Sequence, residues 1–195
     1  MKQILLRRRE LFRYLGLGVG VTALSFGCKK TLNPTSAVSD LSNSLAVAAS
    51  PSGELLPEFQ NISQWLNSAP LKTADLKGNV VLVQFWTFAC INCQRTLPYI
   101  TRWHQQYAKS GLKIVGIHTP EFAFERDINN VKKALKRHQI TYPVALDNEY
   151  KTWNAYNNRY WPHLFLADRH GFKRYDHIGE GAYDETEQMI SKLLS

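Results

Sequence analysis

A buried strand followed closely by two cysteines is the feature that most constrains this chain. Residues Val80–Trp86 read VVLVQFW, an apolar run rich in valine that predicts a central strand buried on both faces. Cys90 and Cys93 come after a short loop, at the start of a stretch with helical spacing that extends to Lys109. The chain is therefore predicted to place both thiols where a buried strand gives way to a helix.

Two thiols in the first turn of a helix are suited to disulfide exchange. Unsatisfied backbone N–H groups and the positive end of the helix dipole stabilise a thiolate there, so the pKa of Cys90 is expected to lie below its ordinary value of about 8.5. Cys93, one turn further on, can then attack a mixed disulfide at Cys90 and release the substrate. We predict that Cys90 is the nucleophile and Cys93 the resolving thiol.

The cysteine count favours a working pair over a structural one. The chain has three cysteines, and the third, Cys28, lies far upstream of Cys90 and Cys93. A framework of several structural disulfides needs more cysteines, and a zinc site needs a second CxxC or an HxxxH, which the sequence lacks. We therefore predict a redox-active disulfide between Cys90 and Cys93, with no metal and no cofactor.

The first 27 residues have the pattern of an export signal. A basic segment containing Arg8 and Arg9 precedes an apolar run from Leu15 to Gly27, which is shorter than the ~20 residues that span a bilayer. The adjacent arginines fit a twin-arginine signal, and the general secretory route is the alternative. This segment carries five positive charges and one negative, so without it the formal net charge falls from +8 to +4. The remaining charge forms no basic stripe, and no nucleic-acid partner is expected.

Cys28 closes the apolar run in the sequence LSFGC, which resembles the processing site of a bacterial lipoprotein. The resemblance implies lipidation of Cys28 as the mature N-terminus and hence a membrane anchor. Ser25 departs from that pattern, because leucine is preferred at its position. The alternative is cleavage after Ala48 or Ala49, which would discard Cys28.

The rest of the chain divides into a tether and one folded domain. Residues 28–57 are rich in Ser, Asn, Ala, Thr and Pro and follow no helix or strand period, which predicts a flexible tether. Residues 58–195 predict the order β-α-β-α-β-α-β-β-α. Such an order is typical of an α/β fold with a mostly parallel central sheet, flanked by helices and ending in an antiparallel edge.

Four motifs span most of the folded part, from about Leu76 to the C-terminus: FWTFACINCQRTLPYI, VGIHTPEFAFE, ITYPVALDNEYKTWNAYNNRYWP and GEGAYDETE. Together they closely resemble the thioredoxin-like domain of the DipZ family, relatives of the TlpA-type envelope thioredoxins. The resemblance implies a thioredoxin fold with a TlpA-like βα insert at residues 142–156. It also implies a periplasmic or envelope thiol-disulfide oxidoreductase that acts on protein thiols and disulfides, and it favours a reductant. DipZ proteins join this domain to a CcdA-like membrane domain. No such domain is predicted here, so a separate CcdA-like electron donor is the expected partner.

The same resemblance assigns a role to the segment RYWPH. Pro162 matches the cis-proline that the superfamily places opposite the CxxC. Its neighbour Trp161 is then expected to offer backbone groups that pair with an extended substrate near Cys90. The alternative is an ordinary trans proline at the start of a strand.

This chain departs from the families that it resembles at the residues expected to carry the proton. Thioredoxins carry a buried Asp where this chain has Gln84, and TlpA-like reductases often carry Glu where it has Thr96. Glu121 and Glu125 are expected at the active-site edge, in the loop after a central strand, and Glu121 is our candidate for proton transfer. The alternative is that both are ordinary surface carboxylates.

Other functions on this fold are weighed against disulfide exchange. A copper-binding chaperone would use both thiolates and a histidine, although such proteins generally separate the cysteines by three residues. Thr87 fits the PxxxTxxC pattern of peroxiredoxins, but Val83 stands where that pattern has proline. A non-catalytic binding module would leave the CxxC idle. Disulfide exchange is the function we carry forward.

Overall fold

The structure, a computed structural model, describes residues 53–195. The export segment, Cys28 and most of the tether lie outside the described residues. The strands are β1 (Gln64–Leu66), β2 (Val80–Trp86), β3 (Leu112–His118), β4 (Val144–Leu146), β5 (His163–Ala167) and β6 (Lys173–Ile178). The helices are α1 (Ile91–Tyr107), α2 (Ile128–Arg137), α3 (Lys151–Ala155) and α4 (Tyr183–Leu194). Within this range no helix combines the length and the apolar character needed to cross a bilayer.

The six strands form one mixed sheet in the order β1-β4-β3-β2-β5-β6. β2, β3 and β4 pair in parallel, whereas β1, β5 and β6 are added through antiparallel pairs. The predicted thioredoxin-like α/β fold is confirmed, but parallel pairing is restricted to the centre of the sheet. β1 is not predicted from the sequence, because its three residues are too few to show a strand period. It adds a second antiparallel edge beside β4.

The core lies on both faces of β2, every residue of which is buried. Leu82 and Trp86 face one layer, which also contains Cys93 and Leu97 of α1. Phe85 and its alternate neighbours face the other layer, together with Trp153 of α3. Burial on both faces explains why the β2 sequence does not alternate between apolar and polar residues.

The packed domain begins slightly before residue 58, the first residue of the domain predicted from the sequence. Leu55 forms a bridge with Phe172, and Leu56 is buried in the layer that includes Phe85.

Two further features of the chain match the sequence prediction. After α1 and a short 3-10 turn, Gly111 adopts a φ of 101°, which favours glycine and turns the chain into β3. β4 and α3 lie within residues 142–156, where the resemblance places the insert.

Candidate active site

The cysteine pair lies where β2 leads into α1. Cys90 is the N-cap residue of α1, and the backbone N–H of Cys93 donates to the Cys90 Sγ at 3.3 Å. Both cysteines are free thiols. Cys90 is partly exposed, whereas Cys93 is fully buried. A substrate disulfide can therefore reach Cys90, whereas Cys93 lies about one helical turn further on and below the surface.

The two thiols have opposite electrostatic surroundings. A hydrogen bond with the Cys93 side chain lowers the pKa of Cys90 to about 6, helped by the backbone N–H groups of Cys93 and Asn92 and opposed by partial burial and by the charge of Glu121. Burial raises the pKa of the Cys93 thiol well above its usual range. At neutral pH, Cys90 is a thiolate and Cys93 a protonated thiol.

The loop before β5 faces the cysteine pair. The Trp161–Pro162 peptide bond is cis, as the resemblance implies, and the Trp161 carbonyl oxygen lies 3.9 Å from the Cys90 Sγ. The Trp161 indole N–H donates to the Thr119 carbonyl oxygen at 3.0 Å, which ties this loop to the one after β3. The site is thus bordered by three loops, which lie before α1, after β3 and before β5.

Glu125 lies inside the protein. From the sequence, Glu121 and not Glu125 is the candidate for proton transfer. A 3-10 turn at Ala123–Arg126 turns its side chain inward, and Glu125 is fully buried. Its Oε1 accepts hydrogen bonds from the Thr87 hydroxyl and, at 2.9 Å, from the Ala89 N–H. Its Oε2 accepts from two N–H groups of its own loop, those of Glu121 and Phe122, at 2.7 and 2.8 Å.

These four hydrogen bonds fix the ionisation state of Glu125. Burial raises the pKa of this carboxyl, but the bonds from Thr87 and from the backbone outweigh burial, and the net effect lowers the pKa. A carboxylate that already accepts four hydrogen bonds is a poor proton acceptor. Glu125 instead joins the cysteine loop to the loop after β3 as a positioning residue.

Glu121 lies at the predicted edge of the site. Its side chain is exposed to solvent, and its charge is close enough to Cys90 to raise the pKa of that thiol. Glu121 and Glu125, which the sequence places together at the active-site edge, therefore differ in their exposure to solvent. Glu121 faces water at the mouth of the site, and Glu125 is buried behind the cysteine loop.

Gln84 of β2 and His118 of β3 are two buried polar groups on the strands beneath the site. Gln84 lies on the same face of β2 as Trp86, and its amide atoms have no hydrogen-bond partner within residues 53–195. Burial lowers the pKa of His118 to about 4, so its ring is neutral, stacked on Phe88 with its Nε2 3.4 Å from the Thr87 hydroxyl oxygen. Neither group is a ready proton acceptor near neutral pH.

Metal binding has no further support at this site. In the part of the chain that the structure describes, no three His, Cys, Asp or Glu side chains cluster in a way that could hold a metal ion. The copper-chaperone alternative therefore gains no observation in its favour.

Comparison with known proteins places this chain in a family. Residues 51–191 match the profile of the Redoxin family. DipZ of Mycobacterium bovis is 47% identical over 142 residues, which are 71% of this chain and 20% of DipZ. This chain thus spans about a fifth of the length of that relative. The thiol-disulfide oxidoreductase YkuV of Bacillus subtilis is 24% identical over 140 residues, which are 72% of this chain and 94% of YkuV.

The fold has close counterparts among solved structures. A crystal structure of a thiol:disulfide interchange protein DsbE from Chlorobium tepidum superposes with a TM-score of 0.64 at 24% identity. The match covers 74% of this chain and 99% of that one. At this level of identity, the likeness establishes the fold alone.

Proposed function

This chain belongs to the Redoxin family, and on that basis we propose that it is a thiol-disulfide oxidoreductase of the bacterial envelope that reduces protein disulfides. The observation that carries the proposal is the contrast between the two thiols. Cys90 is an accessible thiolate at the start of α1, and Cys93 is a buried, protonated thiol within reach of it. An accessible thiolate is what the nucleophile needs, and a second thiol held within reach of it is what resolution of the mixed disulfide needs.

The reaction proceeds in two exchanges. The Cys90 thiolate attacks one sulfur of the substrate disulfide, forming a mixed disulfide and expelling the other sulfur as a thiolate, which takes up a proton. Cys93 then releases its proton to solvent, and its sulfur attacks the Cys90 sulfur. This forms the Cys90–Cys93 disulfide and expels the second substrate thiolate, which takes up a proton. Two electrons pass to the substrate, and the protein is left oxidised.

The surrounding loops supply binding and proton transfer. The backbone at Trp161 and Pro162 borders Cys90, and we assign it the pairing with an extended substrate segment. We assign proton exchange with solvent to Glu121, because its side chain is exposed and its charge acts on Cys90, whereas the hydrogen bonds of Glu125 are already filled.

The direction of transfer is supported by the pKa of Cys90. A strongly stabilised thiolate favours the dithiol form and makes an oxidant, as in DsbA, whose cysteine has a pKa of ~3.5, against ~7 in thioredoxin. The value of about 6 for Cys90 is closer to that of thioredoxin.

The reaction can be tested with the reduced protein and a small aromatic disulfide. We expect the rate of attack to rise with pH around a midpoint near 6, because the thiolate of Cys90 is the reactive form. We also expect a midpoint potential below about −200 mV when the protein is equilibrated with glutathione, nearer to thioredoxin than to DsbA. Unchanged activity in Cys90→Ser would contradict the mechanism, and a potential above about −150 mV would contradict the reductant role.

A lipid anchor at Cys28 completes the proposal for location. Cys28 stands between the apolar run and the predicted tether, where acylation would hold the domain on a membrane through the part of that tether, about 25 residues, that precedes Gly53. Such a tether has a root-mean-square span of roughly 25–30 Å, which allows the domain to meet a CcdA-like membrane electron donor. We expect intact-mass analysis of envelope-purified protein to find a chain that begins at acylated Cys28. A lipid-free chain that begins within residues 47–50 would contradict the anchor.

A further inference from the structure

Exposed aromatic rings border the cysteine pair on the side of the loop after β3. Phe122 and Phe124 are 51% and 54% exposed, and their rings stack with centroids 5.7 Å apart and planes 4° from parallel. The Phe124 ring also lies 5.9 Å from that of Phe88, which belongs to the cysteine loop. We call Phe88, Phe122 and Phe124 the aromatic ledge.

The aromatic ledge is held in place from several sides. Glu125 accepts the N–H of Phe122 and also ties the loop to Ala89, beside Cys90. The Asn130 side chain donates to the Phe124 carbonyl oxygen at 3.1 Å. Rings that are already ordered in the free protein lose little conformational freedom when they bind, so this surface is prepared for a ligand.

Exposed apolar side chains concentrate at this end of the molecule. Ile91, directly after Cys90, is 58% exposed, and Tyr160, directly before Trp161, is 53% exposed. By contrast, Leu55 is 55% exposed but lies at the opposite end of the sheet, against Phe172. Large apolar side chains exposed on several sides of a nucleophile are typical of a binding site.

We propose that the aromatic ledge binds apolar side chains next to the substrate cysteine, so that the preferred substrates are disulfides in extended, unfolded polypeptide segments. The loop that carries Phe122 and Phe124 is tied to the segment that borders Cys90, because the Thr119 carbonyl oxygen at the start of that loop accepts a hydrogen bond from the Trp161 indole. Folded proteins bury their large apolar side chains, whereas an extended segment exposes them. The inference rests on the proposed disulfide exchange at Cys90.

Two peptides with the same disulfide test this inference. In one, the cysteines are flanked by Phe and Leu, and in the other by Ser. We expect the reduced wild-type protein to react with the apolar peptide about tenfold faster in second-order rate constant, and the Phe122→Ser/Phe124→Ser variant to lose that preference. Leu55→Ser is the matched control, because it removes an equally exposed apolar side chain far from the site and should keep the preference.

Bis(2-hydroxyethyl) disulfide, which is small and carries no apolar side chain, separates the two levels of the proposal. If wild-type and double-variant proteins reduce it equally and only the variant loses the peptide preference, the substrate class is supported. If the wild-type protein reduces it but treats both peptides alike, the ledge has no such role. Failure to reduce any disulfide would overturn the proposed function and the ledge with it. Sedimentation showing a dimer, or binding to phosphatidylglycerol vesicles, that the double variant abolishes would assign the ledge to a second copy or to lipid and overturn the peptide proposal.

Discussion

Cys93→Ser is expected to accumulate mixed disulfides with envelope proteins, whereas Cys90→Ser is expected to capture almost none. In Cys93→Ser the exposed Cys90 still attacks, but no thiol remains to release the partner. In Cys90→Ser the remaining thiol is fully buried, and burial raises its pKa. Less than about 1% of such a thiol is ionised at pH 7, so its capture should fall by about two orders of magnitude.

Non-reducing gels of envelope extracts, with free thiols blocked at lysis, would display the adducts. Mass spectrometry of the trapped species would then identify the substrate proteins. The variant that lacks both Cys90 and Cys93 is the matched control, and any band that it retains is not a product of exchange. Equal trapping by the two single variants would reverse or remove the assigned roles, as would trapping by neither while the wild-type protein is active.

The centre of the fold could be predicted from the sequence because its signals are local. The valine-rich run of β2 and the helical spacing of α1 each lie within one segment, and the position of Cys90 between them follows directly. β1 could not be predicted in this way, because Gln64–Leu66 becomes a strand only by pairing with residues about 80 positions later. Its antiparallel edge was missed for the same reason.

The position of the two carboxylates near the site could be predicted from the sequence, but the function of each could not. Glu121 and Glu125 are four residues apart in one loop, and the sequence offers no periodicity by which to choose between them. The choice is made by the turn at Ala123–Arg126 and by the donors on the cysteine loop, which are distant in sequence. The stacking of Phe122 on Phe124 depends on the same turn, so the aromatic ledge was missed as well.

Glu125→Gln is expected to destabilise the folded protein by about 2–5 kcal/mol, because a glutamine side chain has one oxygen and cannot accept all four hydrogen bonds. Two donors that are at least partly buried would be left facing its NH₂ group, at about 1–2.5 kcal/mol each. Glu121→Gln is the matched control. Its side chain is exposed and makes none of these four bonds, so its effect on stability should stay within about 0.5 kcal/mol.

Urea unfolding at several pH values would separate the charge of Glu125 from its shape. The folded-state pKa of Glu125 is lowered, so its contribution to stability is complete above its ordinary pKa of 4.5 and is lost as the pH falls through the lower, folded-state value. We therefore expect the gap in unfolding free energy between wild-type and Glu125→Gln proteins to be constant near neutral pH and to narrow below pH 4.5. A Glu125→Gln protein as stable as wild type at pH 7 would show that the carboxylate does not hold the cysteine loop to the loop after β3.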